Sequence, residues 1–165
     1  MLRQYVFTVV TVVSLALLVG CGDSGTTPPG GKDKGGKTVD PHDIPMTEHE
    51  KDQLKASIKD YPDALTRIKS YRDKIRTETT SGEAALAHRP LDELDLVLGW
   101  LPQIAEKSGV PKTKLEDLTK TAQQLQDLFN KVHAKIDAHE KPDYAAVAND
   151  IEAEIKKLEA LTPKT

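Results

Sequence analysis

The side chains able to do chemistry are few, and most are imidazoles and carboxylates. The sequence holds five histidines, at 42, 49, 88, 133 and 139, and one cysteine, Cys21. In the stretch Ala87-His88-Arg89-Pro90-Leu91-Asp92-Glu93-Leu94-Asp95, His88, Asp92 and Asp95 fall at i, i+4 and i+7. On a helix this spacing lines an imidazole and two carboxylates along one strip. With His133, the strip forms the candidate metal site of the chain, able to hold a divalent cation or to make a polar contact with a partner. The plainer alternative is a solvated flank, and a helix that starts at Pro90 leaves His88 outside it and breaks the strip. His133 lies four residues after Phe129 and three before Ile136, on the edge of an apolar face, where a hydrogen-bonded core histidine is the ordinary occupant.

Other chemistry finds no matching pattern. Cys-x-x-Cys-His, Glu-x-x-His and His-Glu-x-x-His are all absent, which removes covalent haem, the carboxylate-bridged di-iron bundle and the zinc protease. No Ser sits in a Gly-x-Ser-x-Gly turn. Beyond residue 45 the glycines are Gly82, Gly99 and Gly109, so no loop cradles phosphate. A single Cys excludes an internal disulfide and any multi-cysteine metal site within one chain. With Lys+Arg 23 against Asp+Glu 26, the net charge of −3 gives no basic signature for nucleic acid. No enzyme activity and no cofactor are expected.

Cys21 has a context of its own. Arg3 forms a short basic head, residues 5–20 are a 16-residue, almost wholly apolar run, and Leu18-Val19-Gly20-Cys21 closes it. A basic head, an apolar core and small residues at the end are the anatomy of a secretory signal. The run is shorter than the ~20 residues needed to span a bilayer. Leu-Val-Gly-Cys resembles the lipobox of bacterial lipoproteins. That resemblance implies diacylglyceryl transfer to the Cys21 sulfur, cleavage before it, and acylation of the new amino terminus. Residues 1–20 would then be removed, leaving the protein anchored to a membrane through Cys21. In the well-known sorting systems an Asp after the Cys retains the protein at the inner membrane. Here that position is Gly22, which favours the outer membrane, although the rule differs between bacterial groups.

Residues 21–45 hold the lipidated Cys and a Gly/Pro-rich stretch with six of the ten glycines and four of the ten prolines. Such a composition cannot bury enough surface to offset its ordering entropy and is expected to be a flexible tether. Its r.m.s. span would be about 25–30 Å.

Residues 46–165 must position everything else, and they read as four amphipathic helical segments. Leu54, Ile58, Tyr61, Leu65, Ile68, Tyr71 and Ile75 form the first apolar line, opened by a Thr47/Glu50 capping box. Pro62 either kinks this segment or splits off its start. A second capping box is offered by Thr80 and Glu83. The second line is Ala87, Leu91, Leu94, Leu98, Leu101 and Ala105, interrupted by Pro90 and Pro102. The third, Leu115 to Ile136 through Leu118, Ala122, Leu125, Phe129 and Val132, keeps a strict heptad. The fourth, opened by Lys141-Pro142-Asp143, is Tyr144, Ala148, Ile151, Ile155 and Leu158, and Pro163 ends it. Trp100 lies off its stripe and is expected to pack on a neighbouring helix.

Short loops between such segments predict an all-α, up-down-up-down antiparallel four-helix bundle. The topology is similar to that of four-helix b-type cytochromes, a resemblance that implies a Met near the first helix and a His on the last. Met46 precedes the first helix and residues 144–161 contain no His, so the likeness is one of shape. The expected function is a non-enzymatic, lipid-anchored envelope protein that presents its bundle to the periplasm or cell surface, for contact with an envelope partner or for structural support. The alternative is a periplasmic metal- or haem-binding bundle. Oligomeric state is not legible from heptads alone.

Overall fold

The structure, a computed structural model, describes residues 44–162; Cys21 and the expected leader and tether, up to residue 43, lie outside the described residues. Among the described residues all regular structure is helical: α1 (Glu48–Ser57), α2 (Tyr61–Ser81), a 3-10 turn (Ala84–Ala87), α3 (His88–Lys107), α4 (Lys112–Asp137) and α5 (Ala145–Ala160). There are thus five helices where four segments were expected, because Pro62 splits the first. It occupies the first turn of α2, where its missing N–H costs nothing, and Asp60 caps that turn by accepting from the Asp63 amide at 2.9 Å.

The Thr47 box forms as predicted. The Thr47 amide donates to Glu50 Oε2 at 2.8 Å, and the Glu50 amide donates to Thr47 Oγ1 at 3.3 Å. The Thr80 box does not form. Thr77, Thr79 and Thr80 instead bond back to the carbonyls of Asp73, Ile75 and Arg76 at 2.9, 2.6 and 2.7 Å. Their hydroxyls are thereby satisfied along the helix, α2 continues to Ser81, and Gly82 ends it in the left-handed region at φ 92°. The chain then needs only the short 3-10 turn to reach His88, the first residue of α3. Pro90 is the third residue of α3, among the amides that lack a helical acceptor anyway. The helix α4 starts behind Pro111, and just before α5 the Asp143 carboxylate of the Lys141-Pro142-Asp143 opening accepts from the Ala146 amide at 3.2 Å.

The apolar lines bury as read. Ile68 and Ile75 of α2, Leu94 and Leu101 of α3, Leu118 and Leu125 of α4, and Ile151, Ile155 and Leu158 of α5 are fully buried in one core. The helices α2 and α3, α3 and α4, α4 and α5, and α5 and α2 pack against one another, while α1 rests on α3. Polar ties give the directions. Lys69 pairs with Glu159 and Arg72 with Glu152, so α2 and α5 run antiparallel. At one end, Tyr61 joins three helices: its amide donates to Ser108 Oγ after α3 at 2.9 Å, and its buried hydroxyl donates to the Leu158 carbonyl of α5 at 2.8 Å.

Helix α1 is held by Leu54 and its C-cap Ile58, which pack against the core, and by charge. Arg89 of α3 donates to Glu50 and to Glu93, both at 2.9 Å, and Lys55 sits 5.3 Å over the half-buried ring of Trp100. The Thr47 amide and hydroxyl, then Arg89, hold the Glu50 carboxyl down at about 2.

Two outcomes follow from these ties. Tyr61→Phe leaves the Leu158 carbonyl without its buried donor and should cost about 1–2 kcal/mol in urea unfolding; an unchanged midpoint would show that the hydroxyl bond contributes nothing. Glu50 is ionised more readily in the folded state, so its contribution is complete above its ordinary value of 4.5 and is lost as pH falls toward 2. Emission of Trp100, the only Trp, should therefore be flat above pH 4.5 and change below it as α1 loosens, and Glu50→Gln should remove that change.

Candidate functional site

The end of the molecule opposite Tyr61 brings together α3's first residue and the last turn and a half of α4. The 3-10 turn packs against both α2 and α3 and so sets the entry of His88, whose side chain is buried, only 8% exposed. On α4, His133 and Asp137 are four residues apart and share a face. His88 Nδ1 lies 3.2 Å from His133 Nε2. The rings meet edge to face, with centroids 5.2 Å apart and planes at 66°. One ring donates an N–H and the other accepts. Asp137 Oδ1 stands 3.5 Å from His133 Nε2 and 3.7 Å from His88 Nδ1.

His88, His133 and Asp137 each offer one donor atom, all within 4.8 Å of one another, and are the one such set found among the described residues. Neutral imidazole nitrogen and carboxylate oxygen are ligands for divalent transition ions. The site lies at the N-terminus of α3 and the C-terminus of α4, so the two helix dipoles oppose each other and the donors themselves set its character.

Of the residues singled out in sequence, His88 and His133 are brought into contact. Asp92 and Asp95 stay on α3 with His88, and both line a cleft of about 490 Å³ that His133 also borders, together with Met46, Leu91 and Phe129. They are not in the converging set. Asp95 accepts from Gln126 of α4 instead. His88 borders a second cleft of about 580 Å³, shared with Thr79, Gly82, His139 and Lys141. Each histidine of the pair thus borders an open cleft. His139 follows α4 with a positive φ of 54° in a helix-ending turn closed by the Glu140 amide on the Lys135 carbonyl at 2.8 Å. His49 bonds Gln53 on α1.

Asp137 was missed in sequence. The i, i+4 spacing that drew attention to His88 and Asp92 also links His133 and Asp137, but only the α3–α4 pairing shows which of the two carboxylates meets the second imidazole.

No family model matches the chain, and no curated protein or solved structure is significantly similar to it. Among the described residues no helix is long and apolar enough to cross a membrane.

In metal-free protein, His88→Ala should cost about 1–3 kcal/mol in chelator-containing urea titrations, since it empties a buried position and strips His133 of its partner. Asp137→Asn, at an exposed position, should stay within about 0.5 kcal/mol. Equal losses for the two would contradict this division.

Proposed function

We propose that the protein is a non-enzymatic, lipid-anchored cell-envelope protein that presents an up-down-up-down four-helix bundle for protein contact or structural support. The observation that carries the anchor is Leu18-Val19-Gly20-Cys21 at the end of a 16-residue apolar run. The Cys21 thiol is the only thiol in the chain and the nucleophile that lipid transfer would use. Several acyl chains on one residue hold far more firmly than one. The Gly/Pro tether then sets the helical body off from the head groups, with the outer membrane favoured by Gly22.

The bundle reading is supported by the cyclic packing of α2, α3, α4 and α5 and by the antiparallel ties between α2 and α5. The meeting of α3's start with α4's end supports the same alternation. In this reading α1 is a strap on α3 outside the four, pinned by Glu50–Arg89.

Metabolic labelling with radioactive palmitate in a bacterial host tests the anchor. The wild-type chain should be labelled and recovered with membranes. Cys21→Ala should be unlabelled and keep its leader, and label that persists in this variant would overturn the assignment.

A further inference from the structure

We propose that His88, His133 and Asp137 bind one exchangeable divalent transition-metal ion of the zinc class, a function that goes beyond the anchoring reading and does not depend on it. The distances carry the proposal. The three donor atoms form a triangle with edges of 3.2, 3.5 and 3.7 Å. Zinc sits about 2.0–2.2 Å from imidazole nitrogen and carboxylate oxygen, so two ligands of a tetrahedral ion are about 3.3–3.5 Å apart. Every edge of the triangle lies within about 0.2 Å of that range before any side chain moves.

A neutral hydrogen-bonded histidine pair accounts for one edge, and the other two are His–Asp contacts at ion-pair distance that a cation, whether a proton on a ring or a metal ion, would draw together. The 3.2 Å contact is an N–H···N bond, but the Asp137 oxygen is too far from both nitrogens for a hydrogen bond to either. It faces both imidazoles at ion-pair rather than hydrogen-bond distance. An ion at the centre of the triangle satisfies all three atoms at once. It would be met by His88 Nδ1 and His133 Nε2, so each ring must carry its hydrogen on the other nitrogen. The hydrogen shared in the metal-free pair then moves to the far side of its ring.

The donor set selects the ion class. Two imidazoles and one carboxylate suit zinc and its neighbours better than magnesium or calcium, which prefer all-oxygen shells. It also sets the lability. A structural zinc has four protein ligands, whereas three leave a position for water or another ligand. Asp137 is 57% exposed, and each histidine borders an open cleft. Solvent and competing ligands therefore reach the ion without the core opening. The donors come from the start of α3 and the end of α4, so the ion also ties these two helix ends together.

The full chain in detergent micelles, stripped with chelator, is titrated with zinc chloride by calorimetry. The expected result is one ion per chain, with affinity lowered more than about tenfold by His88→Ala, His133→Ala or Asp137→Asn. The Asp137→Asn variant, checked by its circular dichroism melt in chelator, keeps the test valid if the buried His88 position does not tolerate Ala. The triple variant His42→Ala/His49→Ala/His139→Ala should bind as the parent does, as should Asp92→Asn and Asp95→Asn. Excess chelator should remove the zinc from protein that stays helical. Absence of binding, loss of binding in the triple or the Asp92 and Asp95 variants, or zinc released only on unfolding would each overturn the proposal.

Discussion

The register of α3 against α4 is the constraint on which the rest depends. A slip of one residue along either helix moves its side chains by about 1.5 Å and turns them by about 100°. Such a slip would lift Leu94, Leu98 and Leu101, or Leu118, Leu125 and Phe129, from the shared core. It would also part His88 from His133 and Asp95 from Gln126. Apolar burial fixes the register and the polar pairs read it out. The geometry of the His88/His133/Asp137 triangle is therefore a consequence of the core rather than a local accident of two side chains.

The core that sets this register is slender. Of 120 residues from 46 onward, 45 are apolar and 14 of those are Ala, which leaves 31 larger side chains to fill the interior. A body so built has ends that apolar packing alone does not close. At one end Tyr61 supplies the closure, with its amide and hydroxyl reaching two other helices. At the other end the histidine pair does the same between α3 and α4. The two ends differ in chemistry: a phenol hydrogen-bonded to a carbonyl offers no nitrogen ligand, whereas two imidazoles and a carboxylate are a donor set for a zinc-class ion.

Much of the fold was legible because helical periodicity records burial directly. Nearly every residue of the four apolar lines is buried, and Leu54, Ile58, Leu115 and Ala148 are half-buried at the edges. Boundaries were less legible where two local rules competed. Thr80 and Glu83 spell a capping box, yet the hydroxyls of Thr77, Thr79 and Thr80 bond back along α2 and carry the helix past it. Pro62 allowed both a kink and a break, and the Asp60 cap decided for the break. The site was half legible. His88 and His133 stand out by residue type, but a strip along one helix says nothing of what faces it. Asp137 enters only once α3 and α4 are paired, while Asp92 and Asp95 lie toward a neighbouring cleft.

The central claim, that the α3–α4 register holds two specific ring nitrogens and a carboxylate ready for one ion, is tested most directly by long-range proton–nitrogen NMR of the histidine side chains. On addition of one equivalent of zinc, the account predicts that Nδ1 of His88 and Nε2 of His133 take up the shift of a metal-bound nitrogen. The rings of His42, His49 and His139 should keep their metal-free signals. Shifts at those three rings, or at the opposite nitrogens of His88 and His133, would contradict it.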